Sequence, residues 1–254
     1  MLSSLRERTD FLHFASQEIA LWTVDHIRAL PENYVPRLLD IGMGTGRDLL
    51  SIRQALGKRN VELLGIESQP LKIEQARLEN IRTFDINIER EAIPLPDASL
   101  DVVIANQVIE HLKELFWFFG EISRILKVGG IAIIGCPNLA SWHNRAALLI
   151  GQQPPSAKLL GPHVRGIAMS EFVKFIQYGG YFEVVRRKGS NFYFFPVGIN
   201  RVMERLFPSL CASMHFVIRR TAKSGTFVDL LDEPIPGIND TPYYRGSGVR
   251  YHTA

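Results

Sequence analysis

The sequence predicts an α/β fold built around a doubly wound parallel sheet, and two observations support this. Segments with the apolar character of strands alternate with segments of helical periodicity over residues 38–134, a pattern typical of parallel sheets covered by helices. A glycine-rich turn joins the first strand to the first helix. The fifth strand-like run, 131–134, is apolar without interruption, which suits a sheet covered on both faces.

The first strand, turn and helix organise the chain. Residues 38–41 place three apolar side chains around Asp40, and the run 48–56, ended by Gly57, has the features of a helix. Between them lie three glycines at alternate positions, Gly42, Gly44 and Gly46. Glycine permits positive φ and lets a ligand lie against the main chain, and the free N–H groups of the helix start face that ligand. The turn is therefore predicted to hold a nucleotide-like cofactor.

The elements that follow are predicted from apolar runs, caps and breakers. Ser68 is expected to cap the second helix, whose first turn holds Pro70. Gly129 and Gly130 close the helix that precedes the fifth strand. Strands are predicted at 61–67, 81–86, 100–106 and 131–134, and helices at roughly 69–80 and 112–126.

The second half of the chain is less regular. Residues 137–168 are rich in Pro, Gly, Gln and His, which predicts an excursion over the active face with a short helix at 146–150. Four elements are expected beyond it: a helix from Ser170 as its cap to Tyr178, a strand at 181–187, a helical region within 192–210, and a last strand at 215–218.

Three parts are predicted along the chain: an N-terminal helical segment at 1–36, a main domain at 37–222, and a loop-like C-terminal tail at 223–254. Residues 9–30 predict a helix that ends at Pro31 and either packs on the domain surface or covers the cofactor cleft. The tail has three tyrosines and could close over the cleft as a lid. Deletion of residues 226–254 would then alter turnover.

Composition excludes several classes of protein. A net charge of +3 on 254 residues lacks the clustered basic excess of a nucleic-acid binder, so no nucleic-acid partner is expected. Cys136 and Cys211 lie far apart, so neither a disulfide framework nor a metal site is expected. No secretory signal and no membrane-spanning run is present, and a cytoplasmic protein is predicted. The sequence leaves the oligomeric state open.

Polar residues stand at the carboxyl ends of four predicted strands: Asp40, Glu67, Asp85 and Asn106. Doubly wound sheets bind ligands beyond these ends, where the strand order reverses. Nicotinamide dinucleotides use G-x-G-x-x-G at this point, whereas this chain has Arg47 at the last glycine position. Asp40 would also repel a pyrophosphate. A cationic ligand such as S-adenosylmethionine, which has a sulfonium and an amino group, suits the turn better.

The same residues carry a family resemblance. Asp40–Gly46, Glu67, Asp85, the stretch 106–112 and the turn at 127–130 resemble the class I S-adenosylmethionine-dependent methyltransferases, in particular the type 11 and type 12 small-molecule enzymes. The resemblance covers residues 37–188. It implies a Rossmann-like sheet of seven strands that is mostly parallel, with the last strand antiparallel.

The resemblance also implies which residues bind the cofactor. Asp40 and Gly46 belong to this set as positions of the glycine loop. Glu67 would accept both ribose hydroxyls, or else is a solvated strand end. Asp85, beside Ile86, would accept from the adenine amino group, or else caps a turn. The remaining roles are a wall of the adenine pocket for Ser68, space for the cofactor at Gly44, and carbonyl contacts to the methionine ammonium from Gly42 and Asn106.

Methyl transfer needs alignment of the acceptor, and a base only when the acceptor arrives protonated. Three histidines are candidates for this base, His111, His143 and His163. His111 would equally serve as a packing or capping group. Residues 136–145 and 163–165 are similar to methyltransferase-like proteins that act on small metabolites or glycan-like molecules. Two alternatives stay open: a catalytically silent relative that regulates a partner enzyme, and an NAD-dependent oxidoreductase.

Overall fold

The computed structural model describes residues 17–192, 197–236, 238 and 240–246. Within them lies one seven-stranded sheet with the strand order β3-β2-β1-β4-β5-β7-β6. β7 runs antiparallel between β5 and β6, and the other neighbours pair in parallel. The predicted doubly wound, mostly parallel sheet is confirmed. Its strands are β1 (Arg37–Ile41), β2 (Glu62–Ile66), β3 (Arg82–Phe84), β4 (Leu100–Asn106), β5 (Leu126–Pro137), β6 (Phe182–Ser190) and β7 (Ser213–Arg220).

Helices cover both faces of the sheet. The described helices are α1 (within 17–28), α2 (Arg47–Leu56), α3 (Pro70–Leu78), α4 (Leu115–Ile125), α5 (Trp142–Leu149), α6 (Met169–Gln177) and α7 (Val197–Leu206). One apolar cluster joins α1 and α2 to the sheet side of Leu38 and Ile104. A second joins α4 and α6 to the side of Ile41 and Ala105. Among the described residues, no helix has both the length and the apolar character needed to cross a bilayer.

Helix α1 lies against the core. Ile19 and Ile27 are fully buried in the same cluster as α2, and Lys188 of β6 forms an ion pair with Glu18 at 2.5 Å. These contacts favour the surface-packing interpretation of this segment over a cap on the cleft. Residues 1–16, which include the start of the predicted helix, lie outside the described residues.

Several predicted boundaries differ from the structure, three of them at caps or turns that the sequence analysis named. The N-cap of α3 is Gln69 rather than Ser68, and no side chain caps this helix. Helix α6 begins after Ala168, whose backbone is extended, so Ser170 lies in its first turn. β5 starts at Leu126 because the 127–130 turn is a bulge in the strand, where the register shifts between the pairs Leu100–Leu126 and Val102–Ile131.

The segment predicted as a loop-like tail contains a 3-10 helix, Phe227–Asp232. A capping box between Thr226 and Asp229 starts it, and Phe227, Leu230 and Leu231 are buried. The backbone N–H of Phe227 donates to Ser123 Oγ of α4 at 2.9 Å. This element covers the outer face of α4, and these residues therefore belong to the core rather than to a lid. Tyr251 lies outside the described residues.

Candidate functional site

The strand register brings the carboxyl ends of four neighbouring strands to one level. Ile41 of β1 pairs with Ile66 of β2 and with Ala105 of β4, and Ile66 pairs with Phe84 of β3. The residues one step further along these strands form the strand-end layer: Gly42, Glu67, Asp85 and Asn106. β1 and β4 are also the strands between which the strand order reverses. The layer therefore lies where doubly wound sheets bind their ligands.

The turn after β1 is held open by its backbone. Gly42, Gly44 and Gly46 have φ of 71°, 59° and 80°, values in the left-handed region that glycine adopts without a steric penalty. The N–H of Gly42 donates to the carbonyl of Ile66 at 2.8 Å, which fixes the turn to the end of β2. A β-carbon on Gly44 would meet no atom within 4 Å. Space for a ligand therefore lies directly over this glycine.

The other two glycines permit close packing within the protein. A β-carbon on Gly42 would lie 2.9 Å from Val108 Cγ2, and one on Gly46 would lie 2.4 Å from Ile81 Cδ1. Gly46 precedes the first residue of α2, so its small size lets this helix approach Ile81. A comparable approach occurs at Gly65, where a β-carbon would collide with the sulfur of Met43. Sequence reasoning did not identify the contact between Met43 and Gly65.

The carboxylate of Glu67 is 9% exposed and is bonded to the main chain of the turn. Oε2 accepts from the N–H of Gly44 at 3.0 Å, and Oε1 accepts from the N–H groups of Ser68 and Gln69 at 2.9 and 3.0 Å. These three bonds exclude the alternative of a solvated strand end. They also fix Glu67 beside the open space over Gly44.

Asp40 is 4% exposed and lies on the α1–α2 side of the sheet, paired with Gly65 and Ile104. Burial raises the pKa of Asp40 well above its usual range, and the nearby Asp48 and Glu67 raise it further. This shift is towards the neutral form of the carboxyl group, which weakens the expected repulsion of a pyrophosphate. The acidic group whose oxygens face the turn is Glu67.

Beyond β2 and β3, the residues of the predicted adenine pocket are accessible. Asp85 and Ser68 are exposed and Ile86 is half-buried. Within the described part of the chain the side chain of Asp85 makes no hydrogen bond, so no contact supports the alternative that it caps a turn. Ile86 packs against the α4–α6 cluster, which leaves Asp85 at the surface beside it.

The end of β4 shows two features of a ligand site. The Oδ1 atom of Asn106 is buried and has no hydrogen-bond partner among the described residues. The next residue, Gln107, has φ of 58° and donates its N–H to the carbonyl of Gly135 at 2.7 Å. A non-glycine residue in the left-handed region is a source of local strain, which concentrates at functional sites. Gln107 was not singled out by sequence reasoning.

Two of the three candidate histidines lie together. His111 follows β4 in a 3-10 helix, Ile109–His111, and its ring centroid is 4.9 Å from that of His163 in an edge-to-face arrangement. His143 lies in the first turn of α5 instead, with Nε2 3.4 Å from Ser141 Oγ. Burial lowers the pKa of His143.

Glu110 completes this group and had no predicted role. It is 2% exposed, and burial raises its pKa to about 7 against the opposing effects of its own backbone N–H and of His111. The sequence signal that could have identified Glu110 as a site residue is its position next to His111 in the stretch 106–112. Its burial and its approach to His163 depend on the path of the 137–168 excursion, which no local pattern specifies.

Hydrogen bonds of the backbone and of the Arg165 side chain close the excursion and attach it to the loop after β4. The N–H of Leu139 donates to the carbonyl of Ile167 at 2.8 Å, and the N–H of Val164 donates to the carbonyl of Glu110 at 2.9 Å. The guanidinium of Arg165 donates to the carbonyl of Leu112 at 3.1 Å. The predicted excursion thus lies beside the loop that follows β4, and its short helix is the longer α5.

Two surface cavities lie away from the strand-end layer. One of about 540 Å³ lies between α1, β6 and α7, and one of about 210 Å³ lies between α4 and α6. Neither is lined by a residue of the layer. Sheet topology, rather than cavity size, therefore assigns the candidate site.

Comparisons with known proteins show what the chain is similar to. Residues 39–134 match a family model described as a methyltransferase domain. A probable S-adenosylmethionine-dependent methyltransferase of Mycolicibacterium smegmatis is 29% identical over 141 residues, which cover 55% of this chain and 49% of that protein. Another from Mycobacterium tuberculosis is 33% identical over 97 residues, which cover 38% of this chain and 33% of that protein.

Solved structures show the same fold. The crystal structure of a SAM-dependent methyltransferase from Archaeoglobus fulgidus has a TM-score of 0.53 at 17% identity, and the match covers 81% of this chain and 94% of that one. The chain spans only 30–49% of the length of three curated relatives that it matches. The residues that match the family model, 39–134, include the strand-end layer.

Proposed function

We propose that this chain, whose residues 39–134 match a methyltransferase domain, is an S-adenosylmethionine-dependent enzyme of the class I methyltransferases that methylates a small-molecule or glycan-like acceptor. One observation supports this more than any other. The residues that the resemblance assigns to the cofactor end their strands at one level, beside a glycine turn with open space above it. The matching family model spans four of these strand ends.

The described residues suit a nucleoside that carries an amino acid. Glu67 accepts from three backbone N–H groups, which leaves one acceptor site, on Oε2, for a ribose hydroxyl. Asp85 lies exposed at the next strand end, where it would accept from the adenine amino group with Ile86 beside the ring. Ser68 would line the same pocket. The carbonyls of Gly42 and Asn106 would accept from the methionine ammonium.

When bound, S-adenosylmethionine supplies an activated methyl group, which passes in line to the acceptor while the sulfonium sulfur keeps the bonding electron pair. The residues of the chain align the two reactants and exclude water from the path between them. The acceptor would lie between the strand-end layer and the excursion, because Val164 and Arg165 fix the excursion to the loop after β4. If the acceptor is a hydroxyl group, its proton would leave towards the excursion.

The open space over Gly44 provides a direct test. Replacing Gly44 with alanine is expected to weaken binding of S-adenosylhomocysteine at least about tenfold, since the new methyl group would occupy the donor's place. Gly57→Ala is the matched control: Gly57 has φ of 65°, and a β-carbon there would also meet no atom within 4 Å. Gly57→Ala also strains the backbone, because Gly57 combines this φ with ψ of −116°, a conformation that lies outside the left-handed well and is largely confined to glycine.

Isothermal titration calorimetry of both variants and of the wild type gives the comparison. The proposal requires that only Gly44→Ala loses affinity, although both variants lower the unfolding temperature through backbone strain. Equal affinities in all three proteins would place the donor elsewhere. Release of S-adenosylhomocysteine on incubation with metabolite pools separates an enzyme from the silent relative, which would bind the donor without turnover.

A further inference from the structure

Glu110, His111 and His163 form a cluster at the junction of the loop after β4 and the excursion. One potential ligand atom of each residue lies within 4.8 Å of the other two. His111 Nε2 lies 3.9 Å from Glu110 Oε1. The cluster combines one fully buried residue with one half-buried and one exposed residue, so it is closed on the protein side and open on the other.

The backbone fixes the hydrogen on each imidazole. His111 Nδ1 lies 3.0 Å from the carbonyl oxygen of Pro162, and His163 Nδ1 lies 3.2 Å from that of Ser156. A carbonyl oxygen only accepts hydrogen bonds, so both Nδ1 atoms must carry the hydrogen and donate it. In the neutral rings the lone pair is then on Nε2. Metal-binding histidines show this pattern, in which the second ring nitrogen donates to a carbonyl or carboxylate.

The environment of Glu110 gives a second, independent indication of a bound cation. Neither of its carboxylate oxygens accepts a hydrogen bond from another of the described residues, although both are buried. A buried carboxylate without partners is costly, and a bound cation removes this cost. The thiol of Cys136 is also close enough to Glu110 for its own pKa to be raised by that carboxylate, in addition to burial. A thiol supplies no positive charge, so Cys136 does not compensate the carboxylate of Glu110.

We propose that Glu110, His111 and His163 bind one divalent transition-metal ion of the zinc type. Two imidazole nitrogens and one carboxylate oxygen are a ligand set for zinc and its neighbours, whereas magnesium and calcium prefer oxygen alone. Ligands at about 2.1 Å from a tetrahedral ion lie about 3.4 Å apart, so the three side chains must approach each other by roughly 1 Å. The exposed side leaves a coordination position open.

This site departs from the sequence expectation of no metal, which considered cysteine spacing and His-rich stretches. Glu110 and His111 are adjacent in the sequence, but His163 lies more than fifty residues later, and only the fold brings it to them. It also replaces the general-base role expected of His111 and His163 with a ligand role. If the proposed function holds, an acceptor oxygen at the open position would have its hydroxyl pKa lowered, and its proton would pass to solvent.

Cobalt(II) is a suitable probe because its d–d absorption reports a low-coordinate site with nitrogen ligands. The full chain is titrated with Co²⁺ and the visible absorption is followed, with Zn²⁺ added as a competitor. We expect one Co²⁺ per chain, displaced by Zn²⁺. Glu110→Gln and His163→Gln should each weaken Co²⁺ binding at least about a hundredfold. His26→Gln, which changes a histidine of α1 outside the cluster, should bind as the wild type does.

X-ray absorption of the zinc-loaded wild type needs no variant, and should show two imidazoles and oxygen ligands without sulfur. Undiminished Co²⁺ binding by Glu110→Gln or His163→Gln, a sulfur ligand, or no stoichiometric uptake would overturn the metal site. Calorimetry with S-adenosylhomocysteine on the same samples separates this result from the proposed function. Donor binding without metal uptake contradicts the metal site alone, and metal uptake without donor binding contradicts the proposed function alone.

Discussion

Replacing Glu67 with alanine is expected to weaken binding of S-adenosylhomocysteine by about 3 kcal/mol, the upper end of the range for losing charged hydrogen bonds. Two losses add in this variant. A ribose hydroxyl loses its acceptor, and the N–H groups of Gly44, Ser68 and Gln69 lose the carboxylate that fixes the turn. A reduction of about a hundredfold in affinity follows.

Glu62→Ala is the matched control for this experiment. Glu62 begins the same strand, at the opposite end from the turn, and forms a partly exposed ion pair with Arg37 at 2.7 Å. Isothermal titration calorimetry should show donor affinity close to that of the wild type for Glu62→Ala and a large loss for Glu67→Ala. Unchanged affinity in Glu67→Ala would show that the ribose assignment is wrong.

Phe227→Ala is expected to lower the free energy of unfolding by about 3–5 kcal/mol, the usual cost of removing a buried phenylalanine. Phe227 is fully buried. Its ring lies within 5.1–6.2 Å, between centroids, of five aromatic rings from α4, α6 and the start of β6: Phe116, Phe119, Phe175, Tyr181 and Phe182. The cavity left by the substitution would lie at the centre of this cluster.

Denaturant unfolding measures this loss, with Phe207→Ala as the control. Phe207 is 46% exposed, so its truncation should cost no more than about 1 kcal/mol. A comparable loss in the two variants would show that residues 227–232 do not belong to the core. For the same reason we expect deletion of residues 226–254 to destabilise the whole domain. Removal of a lid alone would alter turnover and leave the free energy of unfolding nearly unchanged.

Local chemistry was sufficient to predict the first half of the fold. The apolar runs and glycines of residues 38–57 have one consistent solution, a strand, a tight turn and a helix. β4 was predicted at its observed bounds because the run 100–106 is apolar on both faces. Asn106 and Glu67 were predicted as site residues because they end such strands, and the register confirms that these ends lie at one level.

Features that depend on distant contacts were not predicted. Phe227 is buried only because α4 presents Ser123 and a surrounding aromatic cluster to it. The raised pKa of Asp40 is due mainly to its burial within the fold, which no local pattern specifies. The approach of His163 to Glu110 requires the whole excursion to fold back on the loop after β4. The residue types at strand ends can thus be predicted from the local sequence, whereas burial and contacts between distant segments cannot.

The nature of the ligand at the glycine turn is the central claim, and calorimetric titration of the wild-type chain with S-adenosylhomocysteine and with NAD tests it most directly. We expect S-adenosylhomocysteine to bind with one site per chain, and NAD to give no measurable heat of binding at the same concentrations. Binding of NAD without binding of S-adenosylhomocysteine would contradict the assignment.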